Sequence, residues 1–397
     1  MTLQQLQRIT LESQGLLQTS PFGKGKKAVL NALEHLGYLQ IDTLSIVERA
    51  HHHTLWTRIP DYKSQYLEEL VKERKVFEYW FHAASYLPMK DFRFVLPQML
   101  AVKQSETHYY NAEPKMMQYV IETIRAEGPK KARDFENESK KAGSWWNWKP
   151  AKIALERLFL QGDLMISDRS GMQKTYEIAE RVLPENNELT VTSSINFAEN
   201  LVKTYLRAYG FTTVKQITHL KTGEVIRKNV DEVLKSMLQE GTIQKVDIKD
   251  LPSVFIQSDL TEKTFRKNSS NINLLSPFDN SIIHRDRVKQ FFDFDYKIEC
   301  YTPKEKRQFG YFCLPILFGD TFIGRVDCKA HRKEKQLEII HLHIENENID
   351  IEWWGEPFVK LIRQFAIFNG CESLKLTKAS PTKLTVALEQ LIKNSEK

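Results

Sequence analysis

The sequence predicts an α+β protein made of tandem winged helix-turn-helix units, followed by a small C-terminal β-barrel or curved sheet with packed helices. Two patterns lead to this prediction. In three successive stretches, helical segments stop at a glycine and short strand-like runs follow. From Leu274 to Ile344 strand-like runs dominate, and glycines separate them as hairpin turns or bulges would.

The clearest of the three stretches lies in the middle of the chain. An apolar helical side from Ile153 to Leu160 ends at Gly162, and Leu164 begins a strand. Ser170 and Gly171 form a turn before the return strand Thr175–Ile178, and earlier helices are expected between residues 120 and 139. The tryptophans of the segment 144–148 are expected in the core of this unit rather than on a base-stacking surface.

The same order recurs on both sides of this stretch. Downstream, we expect helices over 197–209, 213–218 and 230–239, a stop at Gly241, and strands over 243–248 and 254–257. Upstream, we expect a helix over 26–36, a stop at Gly37, an extended run over 39–44, and a segment of uncertain type over 75–86. In the last part, strands are expected over 296–303, 309–332 and 335–344, and helices over 356–368 and 382–393.

Four domains follow from these patterns. They are a first winged-helix unit over 1–110, a second over 111–185, a third over 186–268, and a β-barrel domain with terminal helices over 269–397. A chain of 397 residues is too long for one ordinary core, and 41% hydrophobic with 27% charged residues is typical of globular proteins.

Charge and hydropathy limit the classes of function. Lys and Arg number 57 against 51 Asp and Glu, and the net charge of +6 permits a nucleic-acid partner without requiring one. No run of about 18 apolar residues occurs and the N-terminus lacks an apolar signal region, so we expect a cytoplasmic protein without a membrane partner. The four cysteines are widely spaced, which favours neither a zinc knuckle nor a disulfide framework.

Gln40 and Asp42 are the first candidate functional residues. In an extended chain, side chains at i and i+2 share a face, so these two point one way while Leu39 and Ile41 point the other. An edge strand with solvated polar residues is the ordinary explanation of such a pattern. Glu48, Arg49 and three histidines follow closely and favour a site instead.

His51, His52 and His53 are consecutive, and three consecutive residues cannot all face one metal in a regular element. We therefore expect no metal and a polar loop with one functional histidine. His51, and His82 in a second aromatic and titratable stretch, are candidates for contact with the DNA backbone, although a structural role is an equal alternative.

Basic clusters in the strand-rich part would form an electropositive groove that neutralises phosphates. The candidate DNA-binding residues there are Arg285, Arg287, Lys304, Lys306, Arg307, Arg325, Lys329 and Arg332. For any one such cluster, a solvated surface remains the default interpretation.

Four stretches together resemble the AlkZ/YcaQ family of bacterial DNA glycosylases, and most closely its YcaQ-like branch. They are LGYLQIDTLSIVERAHHHTLWTR, EYWFHAASYLP, LLSPFDN and IECYTPKEKRQFGYFCLPILFGDTFIGRVDCKAHR, within a similarity that runs from about Leu16 to Leu391. The resemblance implies tandem winged helices and a C-terminal β-barrel around duplex DNA. It also implies excision of N7-alkylated guanines, including bulky adducts and interstrand crosslinks, with the target base left stacked.

The resemblance also assigns roles to residues. The catalytic signature of the family is glutamine, an aliphatic residue, then glutamine or aspartate, and it matches Gln40-Ile41-Asp42 with the aspartate of the YcaQ-like branch. A hairpin that enters the minor groove is a family feature, which either the Gly319-Asp320 turn or the Lys304–Arg307 turn could supply.

Chemistry supports a hydrolase of this kind. N7-alkylation makes guanine a cationic leaving group, so no strong general acid is required, and the sugar acquires oxocarbenium character. Asp42 can stabilise that charge and accept a proton from water that Gln40 positions. No lysine nucleophile is required, so we expect a monofunctional and cofactor-free hydrolase, and the resemblance implies a monomer that acts in base excision repair on the bacterial nucleoid. The alternative is a non-catalytic winged-helix transcriptional regulator, which has no need of the Gln40/Asp42 pair.

Overall fold

In the residues that the structure describes, three small antiparallel sheets and one larger sheet follow one another, with helices between the strands. A computed structural model describes residues 1–81, 83–105, 110–135, 148–221, 223–263, 271–345 and 350–395. The architecture is a mixed α+β fold, as the sequence predicts. Within the described residues no helix is both long and apolar enough to cross a membrane.

The first sheet carries Gln40 at its edge. Its strand order is β1-β3-β2, and both pairings are antiparallel. The elements of this part are α1 (Leu3–Ser13), α2 (Gly25–Leu36), β1 (Leu39–Gln40), α3 (Ala50–Arg58), α4 (Ser64–Lys72), β2 (Val76–Trp80), β3 (Ala84–Pro88) and a 3-10 helix (Met89–Phe94). The segment of uncertain type is thus a hairpin, and the predicted helix over 26–36 is confirmed.

The second and third sheets repeat this strand order, with the first strand paired to the third. The second part contains α5 (Leu96–Gln104), α6 (Pro114–Glu127), β4 (Lys130–Lys131), α7 (Trp148–Leu160), β5 (Leu164–Ser170), β6 (Gln173–Ile178) and α8 (Ala179–Val182). The third contains α9 (Ser194–Tyr209), β7 (Phe211–Thr212), α10 (Val214–Ile217), α11 (Glu224–Gln239), β8 (Ile243–Val246), β9 (Val254–Gln257) and a 3-10 helix (Ser258–Leu260). The predicted glycine stops are confirmed: Gly162 and Gly241 follow helices and adopt positive φ. The expectation for the tryptophan segment 144–148 falls outside the described side chains.

The last part is an open sheet of six strands. Its elements are β10 (Ile272–Leu274), α12 (Asn280–Ile283), α13 (Arg285–Phe292), a 3-10 helix (Lys304–Lys306), β11 (Cys313–Phe318), β12 (Thr321–His331), β13 (Gln336–Ile344), α14 (Ile351–Phe368), β14 (Ser373–Leu376), β15 (Ala379–Ser380) and α15 (Leu384–Asn394). In the described residues β10 pairs only with β11, and β14 and β15 both pair with β13, so the sheet does not close. The β-barrel expected from the sequence is therefore wrong, and the described strands form an open sheet with packed helices.

One predicted strand of this part is wrong. Residues 296–303 form an irregular segment instead. Glu299, which lies in this segment, binds backbone N–H groups of residues 308–310 through its side chain, and this contact bends the chain back on itself. The Glu299 carboxylate accepts hydrogen bonds from the N–H groups of Gln308 and Phe309, both at 2.8 Å, and of Gly310 at 3.1 Å. This arrangement folds the segment into a compact loop, which we call the 296–312 loop.

Apolar packing joins the parts to one another. Trp354, Phe358 and Phe365 of α14 lie in one cluster with the buried face of the large sheet. Gly37 ends α2 with φ +85, and a Cβ there would collide with the Thr204 side chain of α9. The short connection into β1 is therefore shaped by contact with the third part of the chain.

Candidate active site

Gln40 and Asp42 lie opposite an apolar core. Leu39 and Ile41 are both buried in the cluster that contains Leu33 and Leu55, and neither polar residue belongs to it. Gln40 pairs with Ser85 across the sheet, and the Ile41 N–H donates to the Ala84 carbonyl at 2.8 Å. The chain is thus extended from Leu39 to Ile41, and the two apolar residues of the alternation lie in one core, as the sequence predicts.

Buried polar atoms without protein hydrogen-bond partners gather in this stretch. They are Oε1 of Gln40, Oδ2 of Asp42, Nε of Arg49 and Nδ1 of His51. Asp42 is only 7% exposed and His51 only 4%. Buried polar atoms are usually satisfied, because each unmet group costs roughly 1–3 kcal/mol. Four such atoms within twelve residues mark a site that is ready to exchange hydrogen bonds with a ligand.

Burial raises the pKa of the Asp42 carboxyl, while the N–H groups of Leu44 and Thr43 and the charge of Arg49 oppose that rise in part. The net direction is upward. A carboxylate whose pKa is raised is a better proton acceptor than an exposed aspartate, and it is fully ionised only above its elevated pKa.

The second part of the chain supplies one wall of the site. Nη2 of Arg49 would lie 3.6 Å from a Cβ at Gly171, which is in the turn between β5 and β6. Arg169 on β5 makes two hydrogen bonds with the Glu78 carboxylate on β2, at 2.6 and 2.7 Å. This buried ion pair holds the β5–β6 hairpin against the first sheet.

The 296–312 loop approaches Asp42 from the last part of the chain. Burial raises the pKa of Cys300 and of Tyr301, and the nearby charge of Asp42 raises both further. The Tyr301 side chain is 81% exposed. Lys304 and Lys306 are exposed on the same loop, whereas Arg307 is half-buried and donates from Nε to the Thr302 carbonyl at 2.8 Å.

The three consecutive histidines lie in the first turn of helix α3, where the sequence predicted a polar loop. Their side chains contact different partners. His51 packs edge-on to Tyr86, His52 bonds through Nδ1 to the Tyr62 hydroxyl at 2.6 Å, and His53 bonds through Nε2 to the Leu274 carbonyl at 2.9 Å. Burial lowers the pKa of all three, to about 4 for His52 and His53. In the described part of the chain no three His, Cys, Asp or Glu residues could hold a metal. His82 lies outside the described residues.

The remaining basic residues divide into two groups. Lys329 and Arg332 are exposed, although Arg332 also donates to the Ser45 carbonyl at 3.0 Å. Arg285, Arg287 and Arg325 are instead engaged by the protein. Arg325 is 1% exposed and bonds twice to Glu345, and Arg285 and Arg287 donate to backbone carbonyls. These three guanidinium groups are held by acceptors of the protein itself, so they do not form the open surface groove pictured from the sequence, and their contact with DNA stays a prediction.

The sequence did not reveal the support behind the site. Arg58 and Asp279 form a fully buried pair with two hydrogen bonds at 2.7 and 2.9 Å, and the Arg58 Nε donates to the Gln14 carbonyl at 2.7 Å. The Asn280 amide donates to the Tyr38 carbonyl at 3.1 Å, directly before β1. Asp279 and Asn280 both belong to the LLSPFDN stretch, one of the four stretches on which the family resemblance rests, and the sequence alone assigned no role to this stretch.

Two comparisons with known proteins bear on the family and the fold of this chain. The profile of the AlkZ-like family, described as "DNA glycosylase AlkZ-like", matches residues 33–355. The solved structure of Streptomyces sahachiroi DNA glycosylase AlkZ is similar over 95% of this chain and 99% of that one, with a TM-score of 0.61 and 14% identity. At that identity the structural likeness shows the fold, and the profile match shows the family. The chain belongs to the AlkZ-like family of DNA glycosylases.

Proposed function

We propose that this protein is a monofunctional DNA glycosylase that hydrolyses the N-glycosidic bond of N7-alkylated guanines, including bulky adducts and interstrand crosslinks, and leaves an abasic site. One observation carries the proposal. Gln40 at the end of β1 and Asp42 two residues later carry a carbonyl oxygen and a carboxylate oxygen that are buried and have no protein hydrogen-bond partner. Two such acceptors suit a water molecule and a cationic sugar.

The reaction follows from charge. The bond from the sugar to the cationic guanine breaks, and its electron pair neutralises the departing base. Asp42 stabilises the oxocarbenium charge that develops, and Gln40 accepts a hydrogen bond from the attacking water. Water then bonds to the sugar carbon and gives its proton to Asp42. Aspartate at this position fits the YcaQ-like branch of the family.

The fold supports duplex DNA as the partner. We propose that each of the three small sheets, with the helices before it, is a winged-helix unit, with boundaries near residues 110, 185 and 268. The repeated order, in which the first strand pairs with the third, supports this interpretation.

Lys304 and Lys306, exposed on the loop that approaches Asp42, are proposed to contact the phosphates beside the lesion. The Lys304–Arg307 turn is also the better candidate for the hairpin that enters the minor groove. At the Gly319-Asp320 turn, the Asp320 carboxylate is already paired with Arg8 at 2.8 Å. The protein would act as a monomer on nucleoid DNA in the bacterial cytoplasm.

Single-turnover excision from a duplex with one N7-methylguanine tests the proposal. We expect Asp42→Ala and Gln40→Ala to lower the rate roughly 10²–10⁴-fold while the affinity for the duplex stays within about threefold, because both groups act on the transition state. Glu389→Ala, which removes an exposed carboxylate on α15, is the control and should excise at the normal rate. Loss of binding in parallel with excision would contradict the catalytic assignment. Absence of excision by the unaltered protein would contradict the proposed lesion.

A further inference from the structure

A cavity of about 250 Å³ lies between helix α10 and the start of helix α13, apart from the Gln40 and Asp42 site. Gln216 and the neighbouring His219 line it from one side, and the segment from Ile283 to Arg287 lines it from the other. The sequence pointed to Arg285 and Arg287 as surface contacts for DNA. Their place in the wall of a cavity is therefore a separate observation that needs its own explanation.

Arg287 is a buried cation without a buried anion. It is 5% exposed, and its guanidinium stacks on the Phe211 ring with 3.8 Å between the charge centre and the ring centroid. Its Nη atoms donate to neutral acceptors, namely the Phe211 carbonyl at 3.2 Å, Oε1 of Gln216 at 2.9 Å and the Thr10 hydroxyl. Burial lowers the pKa of Arg287 to about 9. Buried arginines are normally paired with carboxylates.

Arg285 at the same wall is half-buried and likewise donates to neutral acceptors. Its two Nη atoms donate to the Ile282 and Pro277 carbonyls, and its charge centre lies 4.7 Å from the Tyr296 ring centroid. Among the described residues neither Arg285 nor Arg287 lies within 4.0 Å of a carboxylate oxygen. The carboxylate in the lining, Asp286, is 68% exposed and is paired with Lys215. The charged lining residues therefore sum to about two positive charges.

Further hydrogen-bond donors line the same cavity. Nε2 of Gln216 is buried without an acceptor, and so is Nε of Arg287. Helix α13 begins at Arg285 after His284, whose side chain makes no capping hydrogen bond. The first N–H groups of a helix have no acceptor inside the helix, and its N-terminal end carries partial positive charge. Two guanidinium groups, a free amide donor and an uncapped helix start are the components of an anion site.

We propose that this cavity binds a phosphate group, either as a free anion or as one phosphate of a DNA backbone. The anion would compensate the charge of Arg287 and take the donors of Gln216 and of the α13 N-terminus. The two sources share this chemistry, and the proposal does not depend on the excision reaction at Asp42.

Thermal unfolding of the full chain tests the site, with inorganic phosphate titrated against sodium chloride at matched ionic strength. We expect phosphate to raise the Tm saturably and chloride not to do so, because a ligand of the native state stabilises it. Gln216→Glu places a carboxylate beside Arg287 without a change of size. It should raise the Tm in phosphate-free buffer and abolish the response to phosphate.

Two further variants keep the test decisive. Gln244→Glu makes the same change of charge on the exposed face of β8 and should retain the full phosphate response. Lys215→Ala removes an exposed charge at the cavity mouth and should weaken the apparent phosphate affinity several-fold without unfolding the protein. Equal effects of phosphate and chloride, or an unchanged phosphate response in Gln216→Glu, would overturn the proposal.

Binding of an undamaged duplex at several salt concentrations distinguishes the two sources. If a backbone phosphate occupies the cavity, Gln216→Glu lowers duplex affinity, and the slope of log K against log salt loses about one phosphate contact. If a free anion occupies it, duplex affinity is unchanged while the Tm response is still lost. Either result supports the site, and neither depends on whether Asp42 excises a base.

Discussion

Asp42 holds its charge where a carboxylate is poorly solvated. It is almost fully buried, and one of its oxygens has no protein donor. The nearby groups that favour the charged form are two backbone N–H groups and Arg49, and they do not fully offset the burial. The surroundings therefore disfavour the ionised form of Asp42, and a cationic sugar beside it would stabilise that form.

The pH dependence of excision follows from this position. Since the proposed reaction needs the ionised carboxylate and burial raises the pKa of Asp42, the single-turnover rate should fall as pH decreases through a midpoint above the ordinary aspartate value of about 3.9. The measurement is a rate profile over the acidic range, with stability recorded at each pH. Asp42→Asn should be slow and lack this acidic limb. A midpoint at or below the ordinary value would contradict the assignment.

For single residues, features that depend on the local periodicity of the sequence could be predicted, and features that depend on burial by distant segments could not. The alternation of Leu39, Gln40, Ile41 and Asp42 is a property of four neighbouring residues, so the burial of Leu39 and Ile41 in one core could be predicted. The buried Nε of Arg49 without a hydrogen-bond partner could not be predicted, because Arg49 lies near the turn at Gly171, which is far away along the chain.

The β5–β6 hairpin is the element that connects the second part of the chain to the site. Its Arg169 pairs with Glu78 on β2, where the carboxylate is 2% exposed and the guanidinium 10%. Lys174 on β6 lies 3.9 Å from the same carboxylate. The ion pair thus fixes both the orientation of the hairpin and the wall that it presents to Arg49.

Removing one partner of this pair should be costly. We expect Arg169→Met to lower the free energy of unfolding by roughly 3 kcal/mol, because it leaves the Glu78 carboxylate buried with Lys174 as a distant partner. The double variant Arg169→Met/Glu78→Met should recover a large part of that loss. Urea denaturation of the four proteins in this cycle measures the coupling. Additive losses, within about 0.5 kcal/mol, would show that the pair does not hold the hairpin.

Elements that end in glycine were predictable, and elements defined by distant side chains were not. The helices before Gly37, Gly162 and Gly241 were found at the expected places, because a left-handed residue ends a helix locally. The strand expected over 296–303 failed. Its alternation of residues fits a strand, yet Glu299 binds three N–H groups farther along the chain and forms a loop.

At the scale of the whole molecule, the first sheet depends on residues from the last part of the chain. The Arg58–Asp279 pair has no exposed side-chain surface, and Asp279 also accepts hydrogen bonds from the N–H and the hydroxyl of Ser281. Burial alone would raise the pKa of Asp279, but the charge and hydrogen bonds of Arg58 and the bonds from Ser281 lower it overall. Buried polar contacts therefore tie the first part of the chain to the last part.

The stability of the protein should depend on this pair in a defined pH range. Because the pKa of Asp279 is lowered by folding, its contribution is present above the ordinary aspartate pKa and is lost as pH falls through the lowered value. At neutral pH, Arg58→Met should cost about 3–5 kcal/mol, since it leaves a buried carboxylate unpaired. Denaturant unfolding at neutral and acidic pH measures both effects. A loss that stays the same down to strongly acidic pH would contradict the charge-based explanation.

The ties between β1 and the LLSPFDN stretch also have a consequence for biosynthesis. Arg58 meets Asp279 after an interval of 221 residues, and the Tyr38 carbonyl meets Asn280 after 242. A ribosome delivers the N-terminal strand long before it delivers these partners. While the chain is being made, the segment with Gln40 and Asp42 lacks the groups that fix it, and Arg58 has no counterion. The segment with the proposed catalytic pair therefore reaches its final form only once translation has passed residue 280, so the nascent chain has no complete candidate site until then.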